Sequence, residues 1–170
     1  LGAKDPVLPI NAAFVNTLKA AAAHATGARN EVFDLASTAR PVTAGRRWVR
    51  GLFVGGSLAA EAQVIILARG IDVASNVPIP GASDLVDRYD GHVLIDLGDD
   101  QYPRGRPHPM IDPAVRDTPL LQALSDPLVG VVLLDVVIGY GANQDPAGHL
   151  ARILGDHDGN GPVVVASVTG

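Results

Sequence analysis

The sequence predicts a three-layer α/β fold with a mostly parallel sheet, and three observations support it. Apolar runs recur roughly every 30–40 residues with helix-like stretches between them, the rhythm of strand, helix, strand joined by right-handed crossovers. The strongest run, Val129 to Ile138, is almost continuously apolar, as befits a strand buried on both faces. Two of the runs leave through glycine turns that open directly into helices, at Gly55-Gly56-Ser57 and at Gly139 to Asp145. Strand order on this reading is flavodoxin-like or Rossmann-like. The flavodoxin-like order 2-1-3-4-5 is the one expected.

Residues 11–25 place Ala12, Val15, Leu18, Ala22 and Ala25 at helical spacing, with Gly27 as the stop. From Asn30 to Arg47 the pattern weakens into a connection. Trp48 to Val54 reads as a buried strand. Gly55-Gly56 is then a tight turn and Ser57 the N-cap of a helix over Leu58–Arg69, closed by Gly70. A short strand near Ile71–Ala74 follows, and His92–Leu97 is a second strong strand. Pro113 suits the first position of a helix reaching about Leu124. After the central strand at 129–138 come a helix from Pro146 to about Leu154 and a last strand over Gly161–Ser167. Val49–Val54, Val93–Leu97, Val131–Val136 and Val163–Ser167 are expected to be parallel, central and buried.

Composition narrows the function classes. The chain has 170 residues, enough for one good core, and 47% of them are hydrophobic against 18% charged, with mean hydropathy +0.22. Net charge is −5 and aromatic residues make up 4%, so neither a basic patch nor stacking platforms argue for nucleic acid. With no cysteine, disulfides, thiol nucleophiles and cysteine-ligated metals are excluded. No apolar run approaches the roughly 20 residues that cross a bilayer, and Lys19 interrupts the Ala-rich stretch that could pass for a signal peptide. A soluble, cytoplasmic protein is expected, and the opening Leu1 suggests a piece of something longer.

The segment Gly98 to Pro113 carries the densest chemistry. It gathers Asp99, Asp100, Arg104, Arg106, His108 and Asp112 in a loop stiffened by Pro103, Pro107, Pro109 and Pro113. A rigid charged loop between apolar segments points to a ligand, against the plainer reading of a solvated crossover whose arginines pair with its aspartates. His108 and Arg106 are the candidate catalytic residues: an imidazole for proton transfer and a guanidinium fork for a carboxylate or phosphate. Arg104 joins the anion-binding set. So do Gly55, Gly56 and Ser57 at one helix start, and Gly139, Gly141, Ala142 and Asn143 at the other, where unpaired N–H groups and the helix dipole favour an anion. Arg106 and His108, two apart around Pro107, are expected to point into one cleft with Gly56 and Gly141. Asp135 interrupts the central strand and either caps a loop or faces the site. His24, His149 and His157 read as surface or packing residues, and His92 as a strand residue without a neighbouring partner. A metal on His108, Asp112 and Asp99 or Asp100 has no ligand spacing behind it, so no metal is expected.

Read in order, these pieces resemble the FdrA proteins of the succinyl-CoA synthetase (acyl-CoA synthetase) superfamily. The resemblance rests on Arg50–Ala62, Ile95–Asp100, Gly105–Pro113, Leu133–Ala142, Asp145–Ala147 and Ala166–Gly170, with Gly105–Pro113 the most specific. It implies a flavodoxin-like ligase module of the succinyl-CoA synthetase type over residues 46–170, preceded by an N-terminal helix and connecting segment over residues 1–45. In succinyl-CoA synthetase two such modules aim helix starts at a phosphohistidine, and the two glycine turns here look like those starts. The superfamily's Gly-His-Ala-Gly motif does not occur in these residues. Some FdrA-type proteins are implicated in purine (allantoin) breakdown, as a component of an oxamate carbamoyltransferase. The implied activity is therefore binding of phosphate, or of an acyl or carbamoyl phosphate, together with a small carboxylate. The alternative is a non-catalytic assembly module of a larger synthetase-like protein. No cofactor beyond a phosphate anion is implied here, since CoA or a nucleotide would need other domains. The partners implied are a small anionic substrate, other domains or subunits of a synthetase-like complex, and a second copy as a homodimer, with no nucleic acid and no membrane.

Overall fold

A computed structural model describes residues 12, 15, 17–27, 41–85, 90–102, 104–155 and 160–169. The strands are β1 (Trp48–Phe53), β2 (Val73–Ser75), β3 (Ser83–Asp84), β4 (His92–Asp96), β5 (Val129–Val137) and β6 (Val163–Thr169). The helices are α1 (Leu18–Thr26), α2 (Gly56–Leu67), α3 (Asp117–Ser125) and α4 (Pro146–Gly155), with a 3-10 turn at Pro113–Arg116 leading into α3.

The strands form one six-stranded sheet in the order β3-β2-β4-β1-β5-β6, and every pairing is parallel. Side chains alternate between its faces. On one face Phe53, Val73 and Leu94 pack with Ala59 and its neighbours on α2. On the other, Leu52, Val132 and Leu134 pack with Leu120, Ala123 and Leu124 of α3 and Leu150 of α4. This is a flavodoxin-like α/β architecture with helices on both sides of a parallel sheet.

The strand order departs from 2-1-3-4-5. With β3 set aside, β4 lies between β2 and β1, where the expected order puts β1 next to β2. The strands set outward on that side are the short ones: β2 has three residues and β3 two, while β4, beside β1, has five with Val93 and Leu94 buried. His92 fastens β4 to β1 by accepting a hydrogen bond from the Val49 N–H at Nδ1, 3.2 Å. The partner that local sequence did not offer His92 comes from across the sheet.

Other expectations shift as well. The segment Val163–Ser167 belongs to the outermost strand, and β6 is exposed from Val165 to Thr169. Its run of β-branched residues reads as interior although only β5 flanks it. The first helix starts at Leu18, where the Thr17 side chain caps Ala20 N at 3.1 Å, leaving Ala12 and Val15 outside it. Helix α2 begins at Gly56 with Gly55 as N-cap, so Ser57 lies inside the first turn. The expected strand at 71–74 forms at 73–75. Pro113 starts a 3-10 turn because Asp112, its N-cap, accepts from Ala114 N at 3.1 Å, and the α-helix follows. Among the described residues no helix is long and apolar enough to cross a membrane. Pro103, His157 and Gly170 lie outside the described residues.

Candidate functional site

The carboxyl ends of β4, β1 and β5 bring three loops together, where open parallel sheets bind ligands. Helix α2 starts immediately after β1. Its N-cap, Gly55, has extended backbone (φ −158°, ψ 138°) and supplies no side-chain cap. A Cβ on Gly55 would meet nothing within 4 Å. Neither conformation nor packing requires glycine there, so the first turn of α2 is left open by composition alone.

Beside that opening stands Asp96, the last residue of β4. Its Oδ1 accepts from Gly98 N at 2.9 Å, while its Oδ2 lies 2.9 Å from where a Cβ of Gly56 would sit. Asn76 holds Asp96 by its backbone: Nδ2 donates to Asp96 O at 2.9 Å, and Asp96 N donates to Oδ1 at 2.8 Å. The half-buried His108 closes the other side. Its Nδ1 accepts from Met110 N at 3.2 Å, which puts the proton of the neutral ring on Nε2. That Nε2 is 2.7 Å from where a Cβ of Gly98 would sit, and Asp96 Oδ1 is 3.1 Å from the same point. Carboxylate and imidazole thus meet at Gly98, whose missing side chain makes the room, and the second oxygen of Asp96 reaches the helix start at Gly56. Gly56 and Ser57 also border an open groove of about 620 Å³ walled by Val77, Pro78, Ile79 and Pro80. The fully buried Gln63 holds that wall, accepting from Ile79 N and donating to Val77 O.

Arg106 does not join His108. Its Nη2 donates to Asp112 Oδ2 at 2.8 Å with the guanidinium half exposed. The chain turns after His108, whose carbonyl accepts from Ile111 N and Asp112 N at 2.8 and 3.0 Å, and this turn carries the Asp112 that takes the Arg106 guanidinium. Arg104 and Asp100 are exposed, and Asp99 accepts from Gln101 N at 3.2 Å within its own turn. No cluster of metal-ligating side chains occurs among the described residues.

The second glycine turn is closed by its own carboxylate. Asp145 Oδ1 accepts from Gly148 N at 2.8 Å at the start of α4, so a carboxylate of the chain already occupies a donor that an external anion would use. Gly139 and Gly141 are exposed, and Ala142 N donates to Gly139 O at 3.2 Å. Asn143 ties this loop to the proline loop, donating from N to Met110 O (2.7 Å) and from Nδ2 to Ile111 O (3.3 Å). The two loops are neighbours, but only the α2 start stays open.

Asp135, 1% exposed on β5, does cap a loop. Its Oδ1 accepts from Val54 N at 2.8 Å and from Arg116 Nη2 at 2.9 Å. Asp135 Oδ2 and Arg116 Nε, both buried, have no hydrogen-bond partner. Nearby, His149 Nε2 and Asp117 Oδ1 are hydrogen-bonded at 2.7 Å across α4 and α3. Asp96, Asn76 and Arg116 were not among the sequence candidates. The sequence does carry a signal for Asp96, a carboxylate set in an apolar strand as Asp135 is. Asn76 and Arg116 gave none, because their partners lie in other strands.

Burial raises the Asp96 pKa above the ordinary carboxylate value, opposed by the Gly98 N–H; the Asp99 charge raises it further and His108 lowers it. Burial likewise raises Asp135, against the Val54 N–H and Arg116, with Asp96 adding to the rise. Both groups keep protons in the folded state at pH values where the unfolded chain has lost them. Their contribution to stability is fully present below the unfolded pKa and is lost as pH rises through the folded values. The melting temperature should therefore increase as pH is lowered from the neutral range toward the ordinary carboxylate value, and Asp96→Asn should flatten that slope. A melting curve that falls steadily over this interval would contradict it.

A sequence profile of the CoA-ligase family matches residues 52–170. The uncharacterized protein YahF of Escherichia coli (strain K12) is 32% identical over 161 residues, an alignment that covers 85% of this chain and 31% of YahF. The chain thus spans about a third of the length of that relative.

Proposed function

The chain belongs to the CoA-ligase family, and on that basis we propose that it is an FdrA-type, succinyl-CoA synthetase-like enzyme component that holds a phosphorylated carboxyl compound at the start of α2. The observation that carries this reading is Gly55, a glycine required by neither backbone nor packing, at an uncapped helix start on the sheet's carboxyl edge. His108 supplies a proton donor at Nε2 on the rim. Arg104 and Arg106, from the exposed part of the loop, contribute long-range positive charge in place of a clamp.

Asp96 favours a carbamoyl over a plain acyl phosphate. Its Oδ2 is an acceptor beside a row of donors, so a ligand carrying N–H next to anionic oxygens satisfies both, whereas an acyl phosphate places only oxygens against the carboxylate. Carbamoyl transfer to or from a small carboxylate such as oxamate fits that pattern, and with it a place in purine breakdown in the cytoplasm. The assembly-module reading draws on other features, the exposed β6 and the fully exposed Tyr140.

The test is Gly55→Asp. An aspartate N-cap fills the helix start with its own carboxylate and leaves stability equal or higher by a few tenths of a kcal/mol. Titration calorimetry should show phosphate and carbamoyl phosphate binding to the wild type in the millimolar range or tighter, and at least about tenfold weaker binding to the variant, the size of one charge-assisted hydrogen bond. Equal affinities in the two proteins, or no binding by the wild type, would overturn the proposal.

A further inference from the structure

We propose that Asp135 is the positioning residue of this edge, setting the start of α2 and the His108 loop in register with each other. The inference rests on the reading of the α2 start as the anion site.

One oxygen makes both connections. Asp135 Oδ1 accepts from Val54 N, the residue before the Gly55 cap, and from Arg116 Nη2, the last residue of the turn that ends the proline loop. Each connection continues toward the site. Val54 O lies 3.0 Å from the Cβ position of Gly98, so a displacement of Val54 moves the floor on which Asp96 and His108 meet. On the Arg116 side, the 3-10 turn is capped by Asp112, and Asp112 N donates back to His108 O at 3.0 Å. Helix start and imidazole, on separate loops, are thus both referred to one side chain on β5.

Stability does not account for the pair. A buried ion pair is matched or exceeded by well-packed apolar residues of similar volume, and this one leaves Asp135 Oδ2 and Arg116 Nε without partners. What apolar residues cannot supply is an acceptor for Val54 N in a fixed place.

The decisive variant is Arg116→Met/Asp135→Leu, which removes both charges together. It should stay folded, bind inorganic phosphate about tenfold more weakly, and exchange the amide hydrogens of Val54 to Leu58 and of Gly98 about tenfold faster, as expected for loss of one hydrogen bond. Arg116→Met/Asp135→Asn restores a neutral acceptor for Val54 and should return both readouts to within about threefold of wild type. A merely structural role would move stability in the two variants without separating their affinities. Wild-type affinity and exchange in Arg116→Met/Asp135→Leu overturn the proposal. If it fails to fold, the Asn variant decides: weakened phosphate binding with the acceptor restored also overturns it. Should the wild type not bind phosphate, the anion reading fails, and exchange alone judges the positioning role.

Discussion

Arg116→Ala should destabilise the domain by about 3–5 kcal/mol at pH 8, the cost of leaving a buried charge without its partner. Asp135 is 1% exposed and the Arg116 side chain 10%, so the stranded carboxylate has no route to bulk water. Its remaining bond, from Val54 N, satisfies one oxygen only. The loss should shrink as pH falls, because protonation removes the stranded charge, and burial already holds the Asp135 pKa above the ordinary carboxylate value. Urea unfolding at pH 8 and pH 5 reads both the size and the sign. As a contrast, Arg152 and Asp145 are 3.8 Å apart with most of each side chain in water, and Arg152→Ala should change nothing measurable. A loss below about 1 kcal/mol for Arg116→Ala would mean that the surroundings solvate Asp135 by themselves.

Leu94→Ala should cost about 2–5 kcal/mol, because Leu94 is fully buried between the sheet and α2 and its removal opens a cavity. Its neighbour across β1 supplies an internal check. A Cβ on Gly51 would press on Leu94 Cδ2 and Phe53 Cε2 closer than real side chains approach. Gly51→Ala alone should therefore cost about 1–3 kcal/mol through overpacking. Combined with Leu94→Ala, the added methyl finds the space just vacated. The double variant should lose less than the two single losses added together, by at least about 0.5 kcal/mol. Strict additivity in urea unfolding would show that Gly51 and Leu94 do not share that space.

The fold was legible where sequence periodicity carries the information. The strands at β1, β4 and β5 show themselves as apolar runs, and their parallel pairing follows from the helices between them. Strand order was not legible, because nothing in the local pattern of β2 or β4 states which of them pairs with β1. The edge position of β6 was hidden for a related reason: Val163, Val164 and Val165 look the same whether one neighbour or two flank them. At the site, glycine turns and the charged proline loop were visible, and the structure brings Gly56 and His108 to one place. Two-residue spacing around Pro107 suggests that Arg106 and His108 share a side, and it says nothing of Asp112, the carboxylate that engages Arg106. The importance of Asp96 is not local: it lies in standing opposite Gly56, a relation made between β4 and the start of α2.

The central place of β1 has a consequence for how the chain is made. Val54 donates to Asp135, a residue 81 positions further on. At translation rates of roughly 5–20 residues per second, β1 leaves the ribosome about 4–16 seconds before its carboxylate partner does. During that interval one flank of an apolar strand has no mate. Synthesis order thus sets a window of exposure that the finished sheet no longer reveals.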